Sequence, residues 1–293
     1  MSASDTQLLE FEPHRRRLIG LAYRMLGSLA EAEDVVQDAF LRVRDVPVAQ
    51  VAEPASYLAK TVARLCLDRL KSARARRELY VGTWLPEPLV ERPDAAPDAA
   101  LERADDLSFA LLMMLERLSP PERTAFLLHD VFGMDFASIA PVLERTEAAV
   151  RKLAERARDQ VHAGRPRFEV DPAQEQQLIA AFLQASATGD VNALMQLLAH
   201  DAVLYSDGGG KRLAALNPIF GAERITRFLA GILRKSNHPV PNAVELRRVN
   251  GMPGCVVSYD NGDIAVAVFE LAHNRIERIY IVSNPDKLTR VHT

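Results

Sequence analysis

LSPPERTAFLLHDVFGMDFASIAPVLERTEAAVRKLAERAR, residues 118–158, is the stretch that decides the fold. Its pattern predicts a short helix over 136–143, a turn over 144–146 and a cationic second helix over 147–159. That spacing is typical of a helix-turn-helix, whose second helix enters the major groove by its N-terminal part. Packing in a plain helical bundle is the structural alternative for this segment taken alone.

Short polar residues stand where these helices should begin. Asp135 and Thr146 can each accept a hydrogen bond from an unpaired backbone N–H, and Ser119 with Glu122 forms a capping box. Glu144 occupies the turn position usually given to glycine, where a positive φ would cost a side-chain-bearing residue roughly 1 kcal/mol. We therefore expect a helix-turn-helix with a strained turn.

The composition divides the chain into four segments. We predict a helical domain over 1–78, a proline-bearing acidic linker over 79–105, a helix-turn-helix domain over 106–166 and an α+β domain over 167–293. The fold class is thus multidomain, with two all-α domains followed by an α+β domain.

Local patterns place the elements inside these segments. In the first domain, Ser28 and Glu31 form an S-x-x-E capping box, and a third helix is expected from 57 to 77. The last domain is expected to hold a hairpin at Asn261-Gly262, because both residues tolerate a positive φ. Its predicted helices cover 173–187, 190–199 and 222–235, and its predicted strands cover 202–206, 243–249, 255–259, 264–270 and 275–282.

The overall composition excludes several classes of protein. Among 293 residues, 39 acidic and 36 basic side chains leave a net charge of −3, which excludes a globally basic DNA-coating protein and a polyacidic tail. No stretch approaches the roughly 18 apolar residues of a membrane helix, and the N-terminus does not resemble a signal peptide. Two distant cysteines and no metal-ligand spacing predict neither a disulfide framework nor a metal site, and favour the cytoplasm.

The neutral average hides two basic patches. Residues 60–77 carry seven cations against Asp68 alone, a local charge of +6, and residues 151–167 carry six against two acids, a local charge of +4. The intervening stretch 81–105 has a charge of −4. Such patches attract phosphates whatever the global charge, although two solvated helix faces would look the same.

Three ordered blocks resemble a bacterial extracytoplasmic-function sigma factor. They are AEAEDVVQDAFLRV (30–43), SYLAKTVARLCLDRLKSARARR (56–77) and the opening stretch 118–158. The resemblance implies that the first domain corresponds to sigma region two and the helix-turn-helix domain to region four. Core RNA polymerase and promoter DNA are then the expected partners.

The resemblance also implies roles for single residues. The polymerase-docking surface would comprise Asp34, Gln37, Asp38, Phe40 and Leu41. The helix over 60–77 would meet the minus-ten element through Lys60, Arg64, Arg69, Lys71, Arg74, Arg76 and Arg77. The second patch would meet the minus-thirty-five element through Arg151, Lys152, Arg156 and Arg158.

Three further motifs resemble those of the subgroup that carries a fused C-terminal SnoaL-like domain, a cone-shaped NTF2-like barrel. They are WLPEP (84–88), DGGGK (207–211) and NPDKL (284–288). A lone linker tryptophan usually packs on a neighbouring domain, so we expect a docked linker and a domain that regulates in cis. The interdomain residues expected to act in this regulation are Trp84, Leu85, Pro86, Asp207, Gly208, Gly209, Gly210, Lys211, Asn284, Pro285, Asp286 and Lys287.

An enzymatic or ligand-sensing barrel is the alternative for the C-terminal domain. A base and its partners would come from His200, Asp201, Tyr205 and Asp207, and the glycines of DGGGK could present N–H groups to an anionic small ligand. We expect neither catalysis nor a cofactor, and a monomer outside the polymerase complex. A helix-turn-helix regulator that binds duplex DNA without polymerase is the alternative for the whole chain.

Overall fold

The chain folds into two compact units. The first combines Met1–Glu78 with Leu111–Arg165, and the second combines Leu79–Ala110 with Pro166–Thr293. The segment predicted as a linker therefore belongs to the unit that holds the C-terminal domain. This computed structural model describes residues 3–44, 46, 51, 53–78, 80–91, 107–162, 171–233 and 239–291, with the side chains of 3–10, 72–78 and 172 excepted.

The first unit begins with three helices, α1 (Ala3–Leu26), α2 (Leu29–Val43) and α3 (Pro54–Glu78). The Ser28 hydroxyl accepts from the Glu31 N–H at 3.3 Å, so the predicted cap starts α2. The buried stripe of α2 faces its neighbours in this unit and consists of Ala32, Val35, Val36 and Ala39.

Four more helices follow, α4 (Phe109–Arg117), α5 (Pro120–Phe126), α6 (Phe136–Leu143) and α7 (Glu147–His162). The caps of α6 and α7 are those predicted: Asp135 accepts from the Ser138 N–H at 2.7 Å, and Thr146 accepts from the Ala149 N–H at 3.3 Å. Glu144 has a φ of 53°, which confirms the strained turn. Between α5 and α6, a π-helical turn over Leu127–Val131 was not predicted, because no local residue pattern marks it.

The second unit contains α8 to α10 and a six-stranded sheet. Its elements in chain order are α8 (Pro172–Thr188), α9 (Val191–Leu197), β1 (Leu198–Asp207), β2 (Ile219–Phe220), α10 (Ala222–Leu233), β3 (Pro241–Val249), β4 (Met252–Tyr259), β5 (Ile264–Ala272) and β6 (Arg275–Val282). The strand order is β2-β1-β6-β5-β4-β3, with β1 and β6 parallel and the other pairs antiparallel. This is the predicted α+β domain.

The sheet is open, so the described strands do not close the cone-shaped barrel expected for this domain. Within the described residues β2 and β3 form its two edges and do not pair with each other. The helices cover one face, where Phe182, Leu194, Ile225 and Phe269 belong to the same buried cluster. The other face carries Tyr280, whose ring lies 5.6 Å from that of Phe109, the first residue of α4, which belongs to this unit.

The largest difference from the predicted boundaries is at the start of β1. β1 begins at Leu198 and not near 202, because a register shift between Leu198 and Val203 lets the exposed residues between them join the strand. β2 was missed, since two residues are too short for a periodicity to show. Within the described residues, no helix is long and apolar enough to cross a membrane.

Candidate functional site

The carboxylate of Asp207, at the end of β1, binds the linker from inside the second unit. It is 1% exposed. Its Oδ1 accepts from the Tyr80 hydroxyl at 2.6 Å and from the Gly209 N–H at 3.0 Å. Its Oδ2 accepts from the Leu85 N–H at 2.8 Å and from the Lys287 ammonium at 2.7 Å. Two of these four donors come from the linker, so Asp207 ties the linker to the domain.

Lys287 completes this contact from the C-terminal side. Its side chain is 13% exposed and donates to the Leu85 carbonyl as well as to Asp207. The ammonium also lies 4.3 Å from the centre of the Trp84 ring and 5.1 Å from that of Tyr80, where the negative faces of both rings attract it. The lone tryptophan is therefore docked, as expected.

Asn284 connects the NPDKL motif to the same place. Its side-chain amide donates to the Tyr80 hydroxyl at 2.9 Å, and its N–H donates to the Asp207 carbonyl at 3.0 Å. Burial and the hydrogen bond to Asp207 raise the pKa of Tyr80 well above the usual value for tyrosine. We call Tyr80, Leu85, Asp207, Asn284 and Lys287 the linker clamp.

Two glycines of DGGGK are needed for this geometry. A Cβ on Gly208 would collide with the Arg212 carbonyl oxygen, and a Cβ on Gly209 would collide with the Asn284 side chain. Gly209 also has a φ of 61°, a conformation that glycine adopts without strain. The motif therefore shapes a loop that admits Asn284.

The DGGGK groups that could present donors to an anionic ligand, in the alternative of a ligand sensor, contact carboxylates of the chain itself. The Gly209 N–H points to Asp207, and the Lys211 ammonium lies 2.7 Å from Asp286. The donors proposed for a small anionic ligand thus contact carboxylates of the same unit.

Asn250, in the turn between β3 and β4, forms a second anchor that the sequence analysis missed. Its Oδ1 accepts from the Leu89 N–H at 2.9 Å, its Nδ2 donates to the Leu107 carbonyl at 3.0 Å, and its own N–H donates to the Leu89 carbonyl at 2.9 Å. Asn250 is 3% exposed, and beside it Val90 forms an antiparallel bridge with Val249. Asn250 therefore holds Leu89 of the linker and Leu107, two residues beyond the predicted end of the linker, at one place.

The residues expected to dock on polymerase lie mostly on one exposed face of α2. Asp34, Gln37, Asp38 and Leu41 are exposed, with Leu41 at 45%. Phe40 instead packs inward, its ring 5.1 Å from that of Phe11 on α1. Four of the five expected residues can therefore meet a partner together.

The described cations expected to meet the minus-ten element differ from one another in what they contact. Arg64 donates to the Pro141 carbonyl of α6 at 3.1 Å, so this part of α3 contacts the helix-turn-helix within the first unit. Arg69 pairs with carboxylates of α2, and Lys71 pairs with Asp68 at 3.1 Å. The side chains of Arg74, Arg76 and Arg77 lie outside the described residues, and Lys60 is half-buried.

The cations of α7 also differ from one another. Arg156 pairs with Glu122 at 3.0 Å and Arg158 with Asp130 at 2.6 Å, so both hold α7 against the preceding helices. Arg151 pairs with Glu147 one turn earlier and lies 4.9 Å from the centre of the Phe136 ring. Lys152 is exposed. Arg151 and Lys152 are the better candidates to meet bases.

The residues weighed for catalysis do not form a catalytic set. His200 and Asp201 are exposed, Tyr205 stacks on Tyr280 with centroids 5.3 Å apart, and Asp207 is occupied by the linker. In the part of the chain that the structure describes, no group of three acidic, histidine or cysteine side chains could hold a metal ion.

Comparison with known proteins gives agreement over nearly the whole chain. Two family models match, Sigma-70 region 2 over residues 11–76 and Sigma-70, region 4 over residues 108–161. The chain is 38% identical to the ECF RNA polymerase sigma factor SigJ of Mycobacterium tuberculosis, over 97% of this chain and 93% of that protein. It is 32% identical to the probable ECF RNA polymerase sigma factor SigI of the same organism, over 98% and 97%. The crystal structure of SigJ aligns with a TM-score of 0.77 at 36% identity, covering 96% of this chain and 98% of that one.

Proposed function

The chain belongs to the extracytoplasmic-function RNA polymerase sigma factors, which bind core RNA polymerase and direct it to promoters, and we propose that its C-terminal domain regulates this activity in cis by holding the linker. Region two is expected to meet the minus-ten element and region four the minus-thirty-five element. The domain that follows them acts as a built-in inhibitor that the polymerase must displace.

The observation that carries the proposal is the linker clamp. Asp207 is buried, accepts from two linker residues, and is paired with a lysine that also contacts the linker. A buried carboxylate is stable only when its charge is paired and hydrogen-bonded, and undocking the linker removes two of its four donors. The docked linker is thus part of the stability of the C-terminal domain.

A held linker limits how far regions two and four can separate. Released and fully extended, residues 79–108, between the end of α3 and the start of α4, would reach roughly 100 Å, at about 3.3 Å per residue. Anchored at Asp207 and Asn250, the same segment cannot extend fully until those contacts break. Within the first unit, the contact of Arg64 with Pro141 supports a resting state in which the two reading regions pack together.

Run-off transcription with core polymerase tests the proposal. The full chain should direct initiation from a cognate promoter, and it should bind that promoter far more weakly without polymerase, unlike a helix-turn-helix regulator. Removing the residues from Asn284 onward takes away two members of the clamp and should raise transcript yield at limiting polymerase. Equal yield from both chains would contradict regulation in cis.

The C-terminal domain is regulatory and not catalytic in this proposal. The carboxylate best placed to act as a base, Asp207, is occupied by the linker. The protein would act in the cytoplasm, where RNA polymerase is found. A screen of small planar or anionic metabolites for a thermal shift tests the alternative of a ligand sensor, and a reproducible shift would favour that alternative.

A further inference from the structure

Arg69 is bound to α2 along one line of that helix. Its Nη1 donates to the Glu31 carbonyl at 3.3 Å and lies 3.7 Å from the Asp34 carboxylate, while its Nη2 donates to Asp38 at 3.1 Å. Residues 31, 34 and 38 follow one another on the same face of α2, since positions three and four apart are neighbours on a helix. One guanidinium therefore spans two turns of the helix expected to dock on polymerase.

Arg69 also lies on the side of α3 opposite to the other cations of that helix whose side chains the structure describes. A helix turns about 100° per residue, so Arg64 and Lys71 lie within about 40° of Lys60, and Arg69 lies about 180° away. Lys60, Arg64 and Lys71 can follow one phosphate track, but Arg69 cannot join it without leaving α2.

Arg69 offsets the repulsion between the carboxylates of Asp34 and Asp38. They are four residues apart on α2 and repel each other. The planar fork of an arginine can bind both at once and fix their side-chain conformations. Asp34 remains 72% exposed and Asp38 50% exposed while Arg69 is only 30% exposed, so the acidic face stays accessible to a basic partner.

We infer that Arg69 is a positioning residue for the polymerase-docking face of α2, and not a phosphate ligand of the minus-ten element. It holds Asp34 and Asp38 in the arrangement that a basic surface of the polymerase recognises, and it couples that face to the helix that reads DNA. The inference rests on the sigma-factor function of the chain.

The test compares two substitutions of Arg69 with one on the opposite side of α3. For the full chain and for Arg69→Gln, Arg69→Lys and Lys71→Gln, one measures the dissociation constant for core polymerase. One also measures the slope of the logarithm of promoter affinity against the logarithm of salt concentration for each holoenzyme. Loss of one phosphate contact makes that slope shallower by about 0.9, so Lys71→Gln reports what a phosphate ligand does.

We expect Arg69→Gln to weaken polymerase binding about five- to tenfold with an unchanged slope, because the loss is not at a phosphate. Arg69→Lys, which can reach one carboxylate at a time, should recover part of the affinity. A shallower slope in Arg69→Gln, or unchanged values of both quantities, would overturn the inference. If thermal unfolding shows that Arg69→Gln does not fold, Arg69→Lys decides by the same criterion: weaker polymerase binding supports the inference and wild-type binding refutes it. Failure of the proposed regulation in cis is distinguishable from all of these, because it appears as equal transcript yield from the full chain and from the chain that ends before Asn284, whatever the residue at position 69.

Discussion

Replacing Asp207 by asparagine should release the linker from the C-terminal domain. Asp207→Asn keeps the size of the side chain but puts an amide NH₂ or a neutral oxygen where the Leu85 N–H and the Lys287 ammonium donate. Asp207 and Lys287 both belong to the C-terminal domain, so docking of the linker depends on the two hydrogen bonds that Tyr80 and Leu85 donate to the carboxylate. A hydrogen bond to a charged group contributes about 1.5–3 kcal/mol, and the neutral amide loses one of the two and weakens the other, so we expect docking to lose about 3 kcal/mol.

A loss of about 3 kcal/mol raises the undocked fraction of the linker by a factor of roughly 150. If only the undocked form binds polymerase, the apparent affinity for core polymerase can rise by up to about the same factor. The fluorescence of Trp84 reports the undocked fraction of the linker directly, because Trp84 is the only tryptophan of the chain. Its emission should shift to longer wavelength and become more open to quenching by acrylamide.

Asp263→Asn is the matched control. It makes the same substitution in the same domain and breaks an ion pair with Arg212 beside the DGGGK loop, but the Asp263 side chain contacts Arg212 and Asn261 and no linker residue in the described structure. We expect wild-type emission and wild-type polymerase affinity from it. The reasoning would be refuted if Asp207→Asn protein folds and keeps the Trp84 emission, the acrylamide quenching and the polymerase affinity of the unaltered chain.

Three further predictions concern the second anchor, pH and the turn of the helix-turn-helix. Asn250→Ala should lower the free energy of linker docking by about 2 kcal/mol, because it leaves the Leu89 N–H and the Leu107 carbonyl unpaired. Amide exchange around Leu89 should therefore become faster. Asn274→Ala is the control, because Asn274 has a similar positive φ (57°, against 52° at Asn250) but lies in an exposed hairpin. Equal exchange rates around Leu89 in the two variants would contradict an anchoring role for Asn250. Burial and the Asp207 hydrogen bond raise the pKa of Tyr80, so the stability linked to it is complete below about pH 10, the unfolded value, and declines as pH rises towards the folded value. Trp84 quenching should therefore rise in alkali, and Tyr80→Phe should remove that component; an identical pH profile in the variant would count against it. Glu144→Gly should raise the free energy of unfolding by about 0.5–1 kcal/mol by relieving a φ of 53°, whereas Gly133→Ala, at a φ of 71°, should lower it; urea denaturation showing a less stable Glu144→Gly protein would be the contrary result.

The helix boundaries could be predicted because the residues that set them act locally. Ser28, Asp135 and Thr146 each accept from an N–H three residues further along, a contact that sequence spacing alone defines. The open sheet could not be predicted in the same way, since which strands form its edges depends on the packing of all six.

The linker clamp was foreseen in part. Leu85, Asp207, Asn284 and Lys287 lie in motifs that the resemblance marked, but Tyr80 precedes WLPEP, and the second anchor, Asn250, lies in an ordinary turn. Asn250 reaches Leu89 across 161 residues of chain, and no local pattern can show such a contact. Arg69 is a different case, because counting 100° per residue along α3 already separates it from Lys60.

Amide hydrogen exchange at Leu85, in the free protein and in the complex with core polymerase, tests the central claim most directly. The Leu85 N–H donates to a buried carboxylate in the docked linker, so it should be strongly protected in the free protein. If polymerase displaces the C-terminal domain from the linker, that protection should fall when an active holoenzyme forms. Undiminished protection of Leu85 in a holoenzyme that transcribes would contradict the account.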